Sequence, residues 1–277
     1  MRIFETIKPK SKLLEKYISY YYIDIADAED YFNEYICYPH FNNSLSLYKS
    51  HTIDSVIGNS IINFEKDGSP LQIFTPLREN PLKVTQYGPV HKIGIVFKPF
   101  GINQFLANEI EMNKTVASPS FVFFENKFVL YLFSQNSLIN IVNAIEEQLF
   151  KMLTPIENFY IEKALELFQT AEDESNIDKL ADIGLGISRR HLHRLFIKHI
   201  GTTPQKYRAI VRFRKLMNYQ LNDEQQYNFT SLSHLAHYTD QPHFIKTCKQ
   251  LTGLTPSNFF KNGKIIGSED IFWSFTS

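Results

Sequence analysis

The chain has 277 residues, enough for one large domain or two ordinary ones, and its 43% apolar and 21% charged residues exclude a disordered or collagen-like polymer. The longest apolar run, Phe121 to Phe133, is broken by Glu125, Asn126 and Lys127, which excludes a spanning helix; MRIFETIKPKSK has no secretory core. Cys37 and Cys248 are too few for a disulfide scaffold and too far apart for a metal knuckle, so a cytoplasmic protein without membrane contact is expected.

Residues 1–135 read as a β-rich domain. Tyr17–Ile25 (YISYYYIDI), Glu34–Tyr38, Ser44–Tyr48, Gln72–Thr75 and His91–Phe97 are aromatic or β-branched runs punctuated by Gly, Pro and Asn. They predict an antiparallel sheet or small barrel, with a short helix over Gln104–Glu109. An aromatic-lined barrel suits a small-molecule pocket. Its candidate walls are Tyr22, Tyr38, Phe74, Tyr87 and Phe97, with Tyr20 and Tyr35 beside them. His40, His51 and His91 have no metal-ligand spacing, so no metal and no cofactor is expected. Cys37 reads as a buried strand residue. No nucleophile–base order, phosphate-binding glycine loop or acid pair stands out, and no enzymatic activity is expected.

Residues 136–153 predict a linker helix. Leu138, Val142, Ile145, Leu149 and Met152 are spaced four, three, four, three, a seam that suits either a homodimer contact or packing on the chain's own barrel. Thr154-Pro155-Ile156-Glu157 has capping-box spacing with proline at the first helical position, so the next domain is placed at 154–264, followed by a tail over 265–277.

Shifting the chain by 52 positions superposes two stretches of that domain without a gap. Leu180 falls on Leu232, Ser188 on Asp240, Leu192 on Phe244 and Phe196 on Cys248; Gly201 meets Gly253, and Thr203-Pro204 meets Thr255-Pro256. Each copy predicts a short helix (Ile177, Leu180, Ala181; then Phe229, Leu232, Leu235, Ala236), a break, and a second helix capped by Ser188 or Asp240 and ended by glycine. Pro204–Leu221 predicts one long connecting helix with Arg on its polar side. Two helix-turn-helix units joined by a helix result, an all-α domain behind a β-rich one and an α+β chain overall. The charge agrees. From Ile177 to Lys264 there are fourteen basic and five acidic residues, a net of +9; the remainder, with 15 basic against 24 acidic, carries −9. Such asymmetry points to a polyanion, with double-stranded DNA as partner. A helical-repeat adaptor that binds protein and reads no DNA is the alternative.

SRRHLHRLFIKHIGTTPQKYRAIVRFRK resembles the first helix-turn-helix of the AraC/XylS-type transcription regulators. LSHLAHYTDQPHFIKTCKQLTGLTPSNFF is similar to that family's most diagnostic pattern, through Tyr238, Asp240, Gln241, His243, Phe244, Lys249, Gly253, Thr255 and Pro256. The resemblance spans about Glu157 to Gly263. It departs at His237, where the family has glycine, and at Cys248, where it has phenylalanine. It implies base contacts from Arg190, His193 and Arg194 on the first recognition helix, and from Gln241, His243 and Lys246 on the second. Arg can pair with guanine O6 and N7, and Gln with adenine N7 and N6. Arg189, Lys198 and Lys249 fall to phosphates. The expectation is a sequence-specific transcription regulator, controlled through its β-rich domain by a small molecule or by dimerisation, with RNA polymerase as a further partner.

Overall fold

The computed structural model describes residues 2–56, 58–170, 177–222, 240–262, 264–265 and 272–275. It shows a β-rich amino-terminal half followed by helices. One sheet runs in the order β1 (Arg2–Ile7), β2 (Ile18–Ala26), β9 (Val90–Phe97), β4 (Asn43–Tyr48), β7 (Leu71–Thr75), β10 (Val116–Ala117). The other runs β11 (Lys264–Ile265), β12 (Phe272–Phe275), β3 (Phe32–Cys37), β8 (Leu82–Tyr87), β6 (Asn59–Phe64), β5 (His51–Val56). Their pairing is antiparallel except between β6 and β8. The five runs predicted as strands are β2, β3, β4, β7 and β9. Gln104–Glu109 is no α-helix: a 3-10 turn covers Ile102–Phe105, and Gln104 instead accepts from Thr154 N (2.8 Å) and Ile156 N (2.7 Å).

Successive strand residues face opposite sides, and the first sheet is buried on both. Tyr20, Tyr22, Tyr48, Ile73, Val90 and Val96 of the first sheet face the second, where they meet Tyr35 and Cys37. Tyr21, Ile23, Ile93, Ile95, Phe97 and Phe74 face the other way, towards α1 (Asn126–Phe133) and α2 (Leu138–Met152). Gly94 shares the inner face: a Cβ there would lie 1.9 Å from a ring atom of Tyr22, so only glycine admits that ring.

Ser137 caps α2 by accepting from Asn140 N. Leu138, Val142, Ile145 and Leu149 are buried against the first sheet, and Met152 packs beside them. This seam is consumed inside the chain. Exposing four such side chains costs about 1.5–3 kcal/mol each, which removes them as a dimer contact.

The predicted barrel histidines stand apart. His40 Nδ1 accepts from Asn42 N (2.9 Å), and His91 Nε2 contacts Asp27 Oδ1 (2.8 Å). His51 is buried; its Nδ1 accepts from Ser50 N, so Nε2–H donates to Pro89 O at 2.9 Å. Burial lowers the His51 imidazole to about 4, the Pro89 bond opposing it. The fold therefore prefers neutral His51, and stability is lost as pH falls from about 6.5 to about 4, by about 3 kcal/mol. Urea titrations across that range should show the loss, and His51→Gln should flatten it.

The helical half starts at α3 (Phe159–Thr170). Its cap is Asn158, whose Oδ1 accepts from Ile161 N while Glu162 accepts from Asn158 N. The predicted cap at Thr154 is thus four residues early, because Thr154 and Ile156 are tied to Gln104. Next come α4 (Ile177–Lys179), which runs into a π turn over Leu180–Gly184, then α5 (Arg189–His199), α6 (Pro204–Asn222), α7 (Gln241–Thr252) and α8 (Pro256–Asn262). Phe168, Phe196 and Tyr207 stack edge-on and tilted at 5.6–5.7 Å in their core. No helix among the described residues is long and apolar enough to cross a membrane.

The halves share one core. Tyr38 meets Phe259 edge-on at 4.6 Å, and Phe100 meets His199 at 5.4 Å. Part of the predicted tail is structured: β12 pairs with β3, placing Trp273 opposite Cys37.

Candidate nucleic-acid interface

Ser188 opens α5, its side chain accepting from His191 N. Leu192 and Phe196 lie four apart and are fully buried, which turns the opposite face outward. Arg190, His193, Arg194 and Ile197 occupy that face at helical spacing and are exposed. Gly201 ends the segment at φ +84°, the left-handed cap its sequence predicts.

The second unit repeats this chemistry. Asp240 Oδ1 accepts from His243 N at 2.7 Å, with Pro242 in the first turn. Phe244, Cys248 and Leu251 face inward; His243, Lys246 and Lys249 are exposed, and Gln241 is half-buried. Gly253 closes α7 at φ +76°. Cys248 packs where the family has phenylalanine, its thiol pushed up by burial to about 11. Thr203 and Thr255 accept from Lys206 N and Asn258 N at the starts of α6 and α8. Phe229, Leu232, Leu235, Ala236, His237 and Tyr238 lie outside the described residues.

The two helices thus present Arg190, His193 and Arg194, and His243, Lys246 and Lys249, from rigid elements whose other faces are core. Cationic and amide donors there can meet phosphate oxygens and base edges. Four other cations of the helical half are held by carboxylates or carbonyls. Arg189 Nη1 lies 3.3 Å from Asp178 Oδ1. Lys198 Nζ is 2.7 Å from Glu109, and Lys206 Nζ 2.6 Å from Glu79, which also accepts from the Thr202 hydroxyl. Arg214 of α6 is buried and donates from Nε to Pro39 O at 2.7 Å.

Those pairs set carboxylates of the β-rich half against lysines of the reader. Glu79→Gln with Glu109→Gln should tighten DNA binding about two- to fivefold and steepen its salt dependence, since the freed lysines can neutralise phosphate. Fluorescence anisotropy at several salt concentrations reads both.

A second site lies in the β-rich half, a cavity of about 90 Å³ between the two sheets. Of the aromatic walls predicted, Tyr20, Tyr22 and Tyr35 line it. Phe74 and Phe97 have the opposite strand parity and pack on the helices, Tyr38 belongs to the core between the halves, and Tyr87 is exposed beside Phe32 (5.4 Å). Sequence reading missed Arg78, Lys92 and Arg214, which reach the cavity wall.

Two capped helices with basic outer faces, at the ends of a shared helical core, define a helix-turn-helix DNA reader. Residues 183–262 match the model of a helix-turn-helix domain. The match spans α5 to α8, so both helices with basic outer faces lie within it. No curated protein matches the chain. Solved structures of ToxT from Vibrio cholerae are similar at low identity. A form bound to an unsaturated fatty acid shares 10% identity over 86% of this chain and 94% of that one, at a TM-score of 0.47. Another covers 94% and 97% at 10% identity and 0.46, and an apo Lys-to-Ala variant 92% and 99% at 9% and 0.45.

Proposed function

We propose that the chain is a cytoplasmic regulator whose DNA reading is controlled by a small molecule held between the two sheets. The observation that carries this is Arg214: it belongs to α6, the helix joining the two readers, yet lines the cavity of the β-rich half. A molecule touching that guanidinium interacts differently with different arrangements of the halves, and only such differential contact shifts an equilibrium. Arg190, His193, Arg194, Gln241, His243 and Lys246 read bases in this account. Lys198, Lys249 and Arg189 serve phosphates once Glu109 and Asp178 let go. Homodimers would use the outer face of α2, where Ile139 and Phe150 are exposed, and RNA polymerase would be met from the DNA-bound state.

The test compares DNA affinity of the full chain with that of Ser46→Phe, which fills the cavity, in the presence and absence of a deproteinised small-molecule extract of host cells. A severalfold change confined to the unmodified chain is expected. Equal affinities with and without extract in both proteins would reject small-molecule control.

A further inference from the structure

Three cationic side chains and no carboxylate line the cavity between the sheets. Lys92 is only 6% exposed, and its ammonium lies over the rings of Tyr22 (5.2 Å) and Tyr48 (5.4 Å). The acidic residue across the ladder, Asp24, is buried too, but its carboxylate takes the Arg2 guanidinium at 2.7 and 2.9 Å. Burial acts to lower the Lys92 ammonium; the phenols of Tyr22, Tyr35 and Tyr48 outweigh it and hold the group well above the usual lysine range. It therefore stays charged. A charge buried without a counter-charge is expensive, far more so than a packed methionine of similar length.

A second observation is independent of charge. Asn43 lines the same cavity, is 3% exposed, and its Oδ1 has no hydrogen-bond partner. That acceptor asks for a donor from whatever occupies the space. Size narrows the occupant further. At about 10–15 Å³ for each water-sized position, 90 Å³ holds roughly six to nine such groups. A long acyl chain does not fit.

We propose that the cavity binds a compact hydroxylated carboxylate, its acid group against Lys92 and Arg214 and a hydroxyl donating to Asn43. This rests on the small-molecule reading above and names the ligand class. Held so, the anion bridges a strand of the β-rich half and the helix that joins the two DNA readers.

Thermal unfolding of the full chain, unmodified and as Lys92→Met, tests the class with four probes: glycerate, malate, glycerol and palmitoleate. Glycerate or malate should raise the melting temperature of the unmodified chain and leave Lys92→Met unmoved, while glycerol moves neither. Without any acid, Lys92→Met should melt above the unmodified chain, since it no longer buries an unmatched charge; that also shows the variant folded. Lys92→Gln is a second variant with the same expected loss of response. Equal responses of parent and variants to every acid would overturn the proposal. So would stabilisation by palmitoleate alone, which would leave small-molecule control standing. Small-molecule control itself fails only in the DNA-affinity comparison with Ser46→Phe.

Discussion

Arg194→Ala is expected to weaken binding to the cognate site by ~1–3 kcal/mol, about 5- to 150-fold, and to relax the preference at one base position. Arg194 sits one turn after Arg190 on the exposed face of α5, while Leu192 and Phe196 fix the helix from behind. Its own folding contribution is small, so the melting temperature should hold. Competition binding against every single-base variant of the site separates the roles. A loss confined to one position marks a base contact. The same loss on all sequences makes Arg194 a phosphate contact and removes it from the reading face.

Gly201→Ala should be the more damaging change to the fold. Gly201 has φ +84°, and a Cβ there would lie 2.0 Å from the carbonyl oxygen of Met112, which belongs to the β-rich half. Left-handed strain costs about 1–2 kcal/mol, and forced overpacking against backbone adds about 1–3 kcal/mol. Gly253 provides the control. It has φ +76° but nothing within 4 Å of the added atom, so Gly253→Ala should lose the strain alone. Equilibrium unfolding of the two variants should therefore show Gly201→Ala as roughly twice as destabilising, or worse. Equal losses would mean that the 106–113 loop does not rest on the end of α5.

The carboxyl-terminal half was legible because its punctuation is local. Ser188, Asp240, Thr203 and Thr255 cap helices with single side-chain oxygens, and Gly201 and Gly253 end them through backbone freedom that other residues lack. Such signals act within four residues and survive without knowledge of the tertiary fold. The amino-terminal half was harder. Its strands could be found, but YISYYYIDI is buried on both faces, so alternation no longer says which side points into the cavity. Phe74 and Phe97 pack on the helices, not on the cavity, and Tyr38 joins the core between the halves.

The charged residues of the cavity were missed for a related reason. A lysine or arginine in a sequence reads as surface, and Arg214 falls in a helix expected to carry Arg on its polar side. Lys92 carried a usable signal all the same. It stands inside HKIGIVF, a strand apolar on both sides, where any side chain must be buried, and a buried ammonium calls for an explanation. Glu79 and Glu109 had no such mark. Their pairing with Lys206 and Lys198 comes from contacts between residues more than eighty positions apart. The seam of α2 illustrates the same limit, since its four-three spacing fits a partner helix and the chain's own sheet equally well.

The reading of the helical half as a double reader of DNA meets its most direct test in selection of bound sequences from a random duplex pool, with the full chain at physiological salt and with residues 154–277 in parallel. Two helix-turn-helix units on one face of the duplex should recover an asymmetric motif of two blocks about one helical turn apart. Enrichment by the shorter piece alone would place the control in the β-rich half and leave the reader intact. No enrichment by either would contradict the account and favour a helical adaptor that binds protein.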